Sequence, residues 1–239
     1  MEGFVHNLNT MHSRAGAQTP FSSINYGTDT SPEGRMVIRN ILKATDAGLG
    51  HGETCIFPIH IFKVKEGVNY NEGDPNYDLF KLSCKVSARR LFPNYVFLDA
   101  PFNLQYYKPG HPETEVATMG CRTRVMGNVY DPEHEISYSR GNLSFTSINL
   151  PRLAIEAHHD EKLFYQKLDE MMALVAQQLL DRFEIQAAKR VYNYPFLMGQ
   201  GVWLDSDKLG PNDEVREVLK HGTLSIGFIG LAETLTALY

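Results

Sequence analysis

The sequence lacks any apolar run close to the roughly 20 residues that a membrane-spanning helix requires, so no membrane partner is expected. It also lacks a basic excess. Lys and Arg number 23 against 28 Asp and Glu, a formal net charge of -5, which argues against direct nucleic-acid binding. Its first residues, Met1-Glu2-Gly3-Phe4-Val5-His6-Asn7, carry no basic and then apolar pattern of a secretory leader. Cysteine is scarce: Cys55, Cys84 and Cys121 are widely spaced and form no CxxC pair. Neither a disulfide scaffold nor a cysteine-rich metal site is indicated, and a reducing, cytoplasmic setting is expected. Phosphate-binding signatures are missing too. No GxxxxGK[ST] occurs, and Gly48-Leu49-Gly50-His51-Gly52 has the wrong spacing for a dinucleotide fingerprint and follows a helical segment.

What is present reads as alternating strands and helices. Phe21–Tyr26, Ile56–Val64, Tyr95–Leu98, Leu143–Ile148 and Thr223–Phe228 are short runs rich in β-branched and aromatic residues, and are expected as strands. Residues 34–47, 76–91, 160–190 and the final apolar run carry apolar side chains at three- and four-residue steps, and are expected as helices. Strand–helix alternation argues for an α/β architecture. Regions 66–75, 108–113 and 199–211 read as loops. The chain ends inside that last helical run and begins almost at once with ordered-looking sequence, so a piece of a longer polypeptide is expected.

Three segments carry candidate chemistry. In Thr118-Met119-Gly120-Cys121-Arg122-Thr123-Arg124, a thiol between apparent strands is flanked by two arginines, and Gly120 permits a tight backbone path. Nearby cations favour the thiolate, so a reactive thiol and an inert core cysteine both stand as readings of Cys121. Cys55 and Cys84 read as structural. His12-Ser13-Arg14-Ala15-Gly16-Ala17-Gln18 offers a guanidinium and backbone donors to an anion, although taken alone it is a polar turn. His158 and His159 precede Asp160 and Glu161; adjacent side chains point apart, so a solvated helix start is the reading. Asn142-Leu143-Ser144 matches a glycosylation sequon by chance, since no leader accompanies it.

The strings themselves say more than their spacing. Asn7-Leu8-Asn9-Thr10-Met11-His12-Ser13-Arg14-Ala15-Gly16-Ala17-Gln18, Pro20-Phe21-Ser22-Ser23-Ile24-Asn25, Met119-Gly120-Cys121-Arg122-Thr123-Arg124, Gly141-Asn142-Leu143-Ser144-Phe145, Ser147-Ile148-Asn149-Leu150-Pro151-Arg152 and Ile226-Gly227-Phe228-Ile229-Gly230-Leu231 together resemble the anaerobic (class III) ribonucleoside-triphosphate reductases. They occur in that family's order and cover nearly the whole chain. The resemblance implies a partial ten-stranded α/β barrel of the glycyl-radical enzyme type, with a central finger loop. Residues 1–239 would form an incomplete catalytic barrel domain, without the N-terminal ATP-cone or the C-terminal glycyl-radical domain. It implies that Cys121, at the finger-loop tip, becomes a thiyl radical that removes the substrate's 3'-hydrogen. Asn142 would hydrogen-bond the ribose hydroxyl. Met119, Ser13, Arg14 and Gly16 would contact substrate, with simple packing an equal reading of Met119.

The implied cofactors are a glycyl radical and a structural zinc, both on segments outside this chain, and formate as co-substrate; none is expected to be held by these residues alone. The implied partners are ribonucleoside triphosphates, a radical-SAM activating enzyme, ATP and dNTP effectors, and a second copy in a homodimer. The isolated chain is expected to be inactive. Two other functions remain open at this point. One is a formate-lyase-type glycyl-radical enzyme, many of which carry paired loop cysteines where Cys121 stands alone. The other is a non-catalytic nucleotide-binding remnant.

Overall fold

Ser31 starts the first long helix of the molecule by accepting a hydrogen bond from the Gly34 N–H at 3.0 Å, with Pro32 in the first turn, and Gly48, at φ +80°, ends it. A proline inside the start and a glycine past the end are the favoured punctuation of a helix. The computed structural model in which this is seen describes residues 1–12, 18–120, 123–133 and 135–239. These group into two compact units, Met1–Gly127 with His134–Ser137, and Asn128–Glu133 with Tyr138–Tyr239.

The first unit runs α1 (Glu2–Thr10), β1 (Ser23–Tyr26), α2 (Pro32–Ala47), β2 (Ile59–Val64), α3 (Tyr77–Arg90), β3 (Asn94–Phe97), a short α4 (Pro101–Leu104), β4 (Ala117–Met119) and β5 (Thr123–Val125). Strands β1, β2 and β3 form a parallel sheet in that order, with β2 central. The expected strand over Ile56–Val64 starts at Ile59, since Pro58 has no N–H to give to a ladder. Register sorts the sheet's side chains onto two faces. Ile24, Tyr26, Phe62 and Val64 pack with Ile38, Leu42, Leu79 and Val86 of α2 and α3, or with Val5 of α1. The opposite face carries Ser23 and Asn25, aligned with Ile59 and Ile61 of β2.

A polar chain is buried on the helix side. The Thr45 hydroxyl donates to the Ile41 carbonyl (2.8 Å), so it accepts from Nε2 of His60 (3.2 Å), which leaves Nδ1 to accept from the Tyr26 hydroxyl (3.1 Å). His60 is fully buried. Burial pulls its pKa down to about 4 and pushes that of Tyr26 up, so a neutral imidazole accepting from a protonated phenol is the stable arrangement.

The second unit contains β6 (Asn142–Asn149), α5 (Leu150–Ala157), α6 (Glu161–Ala187), α7 (Arg216–Leu219), β7 (Thr223–Ile229) and α8 (Leu231–Leu238). Strands β6 and β7 pair in parallel. Ile148, Leu153, Phe164, Val175, Leu179 and Leu238 form its apolar core with α5, α6 and α8. Pro151 sits in the first turn of α5, where the Asn149 side chain accepts from the Arg152 N–H at 3.2 Å. His158 and His159, both at positive φ, join α5 to α6, and Asp160 caps α6. Among the described residues no helix is long and apolar enough to cross a membrane.

Candidate functional site

Strands β4 and β5 form an antiparallel hairpin in which Met119 pairs with Thr123. Gly120, at φ +57°, occupies the left-handed region that strains any residue with a Cβ. The expectation that Cys121 lies between two strands holds, since β4 ends at Met119 and β5 begins at Thr123. A short hairpin of this kind leaves the outer edge of each strand with unpaired backbone groups. On β4 that edge is satisfied by side chains of β1. Asn25 Oδ1 accepts from the Thr118 N–H at 3.0 Å, Asn25 Nδ2 donates to the Thr118 carbonyl at 2.7 Å, and Ser23 Oγ accepts from the Gly120 N–H at 3.1 Å.

Two residues before β4 begins, Glu115 binds the β2 side of the sheet. Its carboxylate takes Lys63 Nζ at 2.9 Å and Lys65 Nζ at 3.4 Å. Arg124 of β5 donates to Asn103 Oδ1 at 2.9 Å and lies over the Phe102 ring, 5.0 Å from its centre. A cavity of about 40 Å³ opens beside Lys65, Asp99, Asn103, Tyr107 and Glu115. It has room for a water or two, far below the several hundred Å³ of a nucleotide-sized pocket.

In the second unit Asn142 opens β6 in register with Thr223 of β7. The Thr223 N–H donates to the Gly141 carbonyl at 2.9 Å, and the Thr223 hydroxyl lies 3.4 Å from Asn142 Oδ1. Gly141 is forced by packing: a Cβ there would stand 2.3 Å from the Trp203 ring, whose Nε1 donates to the Val218 carbonyl at 2.9 Å. Just before Thr223, the carbonyl of His221 accepts from Arg140 Nε at 2.8 Å. The His221 ring accepts from the Asn128 amide at 2.9 Å. Burial holds the His221 pKa below the ordinary value, aided by the Lys220 and Arg140 charges.

Of the expected site residues, Met119 therefore lies on β4 of the first unit and Asn142 on β6 of the second. Cys121, Ser13, Arg14 and Gly16 lie outside the described residues. Cys55 is buried, whereas Cys84 is exposed on α3 instead of lying in an apolar face. Among the described residues no group of three or more His, Cys, Asp or Glu could hold a metal ion. Ser23, Asn25, Lys63 and Glu115 were not legible as site neighbours. The polar alternation Ser23-x-Asn25 in a short strand was the available signal, and it reads equally as a solvated face.

Comparison with known proteins closes the picture. The family described as anaerobic ribonucleoside-triphosphate reductase matches residues 1–239. The chain is 34% identical to the Escherichia coli K12 anaerobic ribonucleoside-triphosphate reductase over 243 residues, covering all of this chain and 32% of that protein. It is 32% identical to the phage T4 protein of the same name, covering 97% of this chain and 38% of the relative. The chain thus spans about a third of the length of the curated relatives it matches. In structure it resembles the Thermotoga maritima anaerobic ribonucleotide reductase crystallised with glycerol in the active site. The TM-score is 0.55 at 12% identity, with 98% of this chain and 37% of the other covered. The same enzyme with citrate in the active site gives 0.53, with 41% of that chain covered. This likeness agrees with a partial α/β barrel of the glycyl-radical enzyme type.

Proposed function

Because the chain belongs to the anaerobic ribonucleoside-triphosphate reductase family, we propose that it supplies the thiol-bearing part of a catalytic barrel reducing ribonucleoside triphosphates to 2'-deoxyribonucleoside triphosphates. The observation that carries this reading is the match along all 239 residues, with the hairpin β4–β5 flanking Cys121. Cys121 is the hydrogen-atom carrier. Its thiyl sulfur takes the 3'-hydrogen atom, forming S–H as C3'–H breaks and leaving the unpaired electron on C3'. Asn142 hydrogen-bonds a ribose hydroxyl and orients the sugar. The neighbouring C2'–O bond then breaks, and the 2'-oxygen leaves with a proton as water. A glycyl radical on a separate segment generates the thiyl, and formate, oxidised to carbon dioxide, supplies the two electrons and a hydrogen. Cys121 finally returns its hydrogen atom to C3', so the thiyl is restored and the atoms balance.

Met119 lines the pocket next to the sulfur, and Ser13, Arg14 and Gly16 contact the nucleotide. In this reading the whole protein works in the cytoplasm as a homodimer, activated by a radical-SAM enzyme and tuned by ATP and dNTP effectors, with a structural zinc held elsewhere. The test is Cys121→Ser in the whole gene product, activated anaerobically and given ribonucleoside triphosphates and formate. Deoxyribonucleotide formation is expected to vanish, since a serine hydroxyl cannot carry the hydrogen atom. Turnover by that variant would falsify the assignment.

A further inference from the structure

We propose that Asn25, assisted by Ser23, is a positioning residue for the chemistry at Cys121, setting the height and register of the strand that leads into that thiol. The proposal rests on the reading of Cys121 given above, and the geometry is that of the first unit alone. In an antiparallel pair, residues alternate between exchanging hydrogen bonds with their partner and pointing those groups outward. Thr118 is an outward-pointing residue. Both of its peptide groups face β1, and both are taken by one side-chain amide, Asn25, at 3.0 and 2.7 Å. Two residues on, the Gly120 N–H faces the same way and is taken by Ser23 Oγ at 3.1 Å.

Ser23 and Asn25 are two apart on β1, as are Thr118 of β4 and Gly120 just past its end, and an extended pair of this kind repeats at about 6.6 Å. The two strands therefore run antiparallel past each other, matched residue for residue. They are joined by side chain to backbone, not by a backbone ladder. A ladder would draw β4 into the plane of the sheet. The clip instead holds it one side chain's length above the face, with Thr118 almost wholly buried beneath it. Lys63, the next residue along that face of β2, anchors Glu115 and fixes the other end of the segment.

The experiment compares Asn25→Leu, Asn25→Asp and Ser23→Ala in the whole gene product, with turnover counted per glycyl radical by electron paramagnetic resonance, so that misfolded molecules drop out. Asn25→Leu loses both bonds to Thr118, and kcat is expected to fall about 10²-fold with the nucleotide KM unchanged. Asn25→Asp keeps the acceptor and sets an oxygen against the Thr118 carbonyl, so its loss is intermediate. Ser23→Ala, which removes one bond, loses least. If Asn25→Leu does not fold, the order of the other two carries the test. Hydrogen exchange at the Thr118 amide is expected to quicken in Asn25→Leu, which leaves that N–H without its acceptor. Unchanged exchange, or kcat per radical within about threefold of the parent in every variant, overturns the proposal. Retained turnover by Cys121→Ser would instead remove the reading on which it rests, and the exchange at Thr118 separates the two failures.

Discussion

The two units hold their irregular backbone in different ways. The first relies on asparagine amides. Asn9 takes the Ile56 and Phe57 N–H groups and donates to the Phe57 carbonyl; Asn69 spans Gly27, Lys63 and Lys65; Asn76 reaches Gly27 and Asp29. Asn25 does the same for Thr118. Around its candidate amide the second unit relies on close approach, of a kind the first unit also shows at Gly34 and Gly48. Gly141 lies against the Trp203 ring, a Cβ at Gly222 would stand 2.7 Å from Leu143, and a Cβ at Gly230 would stand 2.3 Å from Pro151. A carboxamide carries a donor and an acceptor, so it can stand in for a missing strand wherever the chain leaves a ladder. Glycine-tight packing offers no such substitute and tolerates little change of volume. The backbone ahead of Cys121 is thus sensitive to polar chemistry, and that around Asn142 to shape.

Acid should break the comparison most visibly. His60 has an unfolded pKa near 6.5 and a folded pKa of about 4. Its contribution is therefore fully present above pH 6.5 and is lost as pH falls from 6.5 to about 4. The total at stake is about 3 kcal/mol. Hydrogen exchange in α2 and β2 is expected to accelerate over that window more than exchange in α6. Equal acceleration in both units would show that the buried polar chain has no such effect.

A steric change should strike the second unit next. Gly141→Ala places a methyl group against the Trp203 ring and is expected to cost about 2 kcal/mol in urea unfolding. Pairing it with Trp203→Phe, which shortens the ring, should recover part of that loss in a double-mutant cycle. Additive effects would mean that the close approach is not what restricts Gly141. The smallest effect belongs to Thr118→Val. The Thr118 hydroxyl is buried with no hydrogen-bond partner among the described residues, so its removal should change stability by less than about 1 kcal/mol in either direction. A larger loss would reveal a partner for that hydroxyl and weaken the view that the backbone clip, not the side chain, anchors this residue.

Period and punctuation made most elements legible. Helix α2 ends at Ala47, as the expected helix over 34–47 does, although Ser31 and Pro32 start it two residues earlier, and the apolar steps through Phe164, Val175 and Leu179 mark α6. Helix α5 escaped because a proline after a strand stops that strand and can also open a helix, and only the capping bond from Asn149 decides between them. Helix α1 escaped because only Val5 of its nine residues is buried, leaving no apolar stripe to read. The candidate thiol and amide were legible as strings. Their supports were not, since Asn25 and Thr118 are 93 residues apart, and a single sequence gives no sign of which strand edge an amide will meet.

Trp203 is the chain's one tryptophan, and its ring edge lies against Gly141, the residue before Asn142. Its emission therefore comes from a single place, and any shift of β6 toward or away from that ring changes the quenching and polarity the indole senses. The molecule carries its own optical gauge at the start of the strand that bears Asn142, readable without attaching a label.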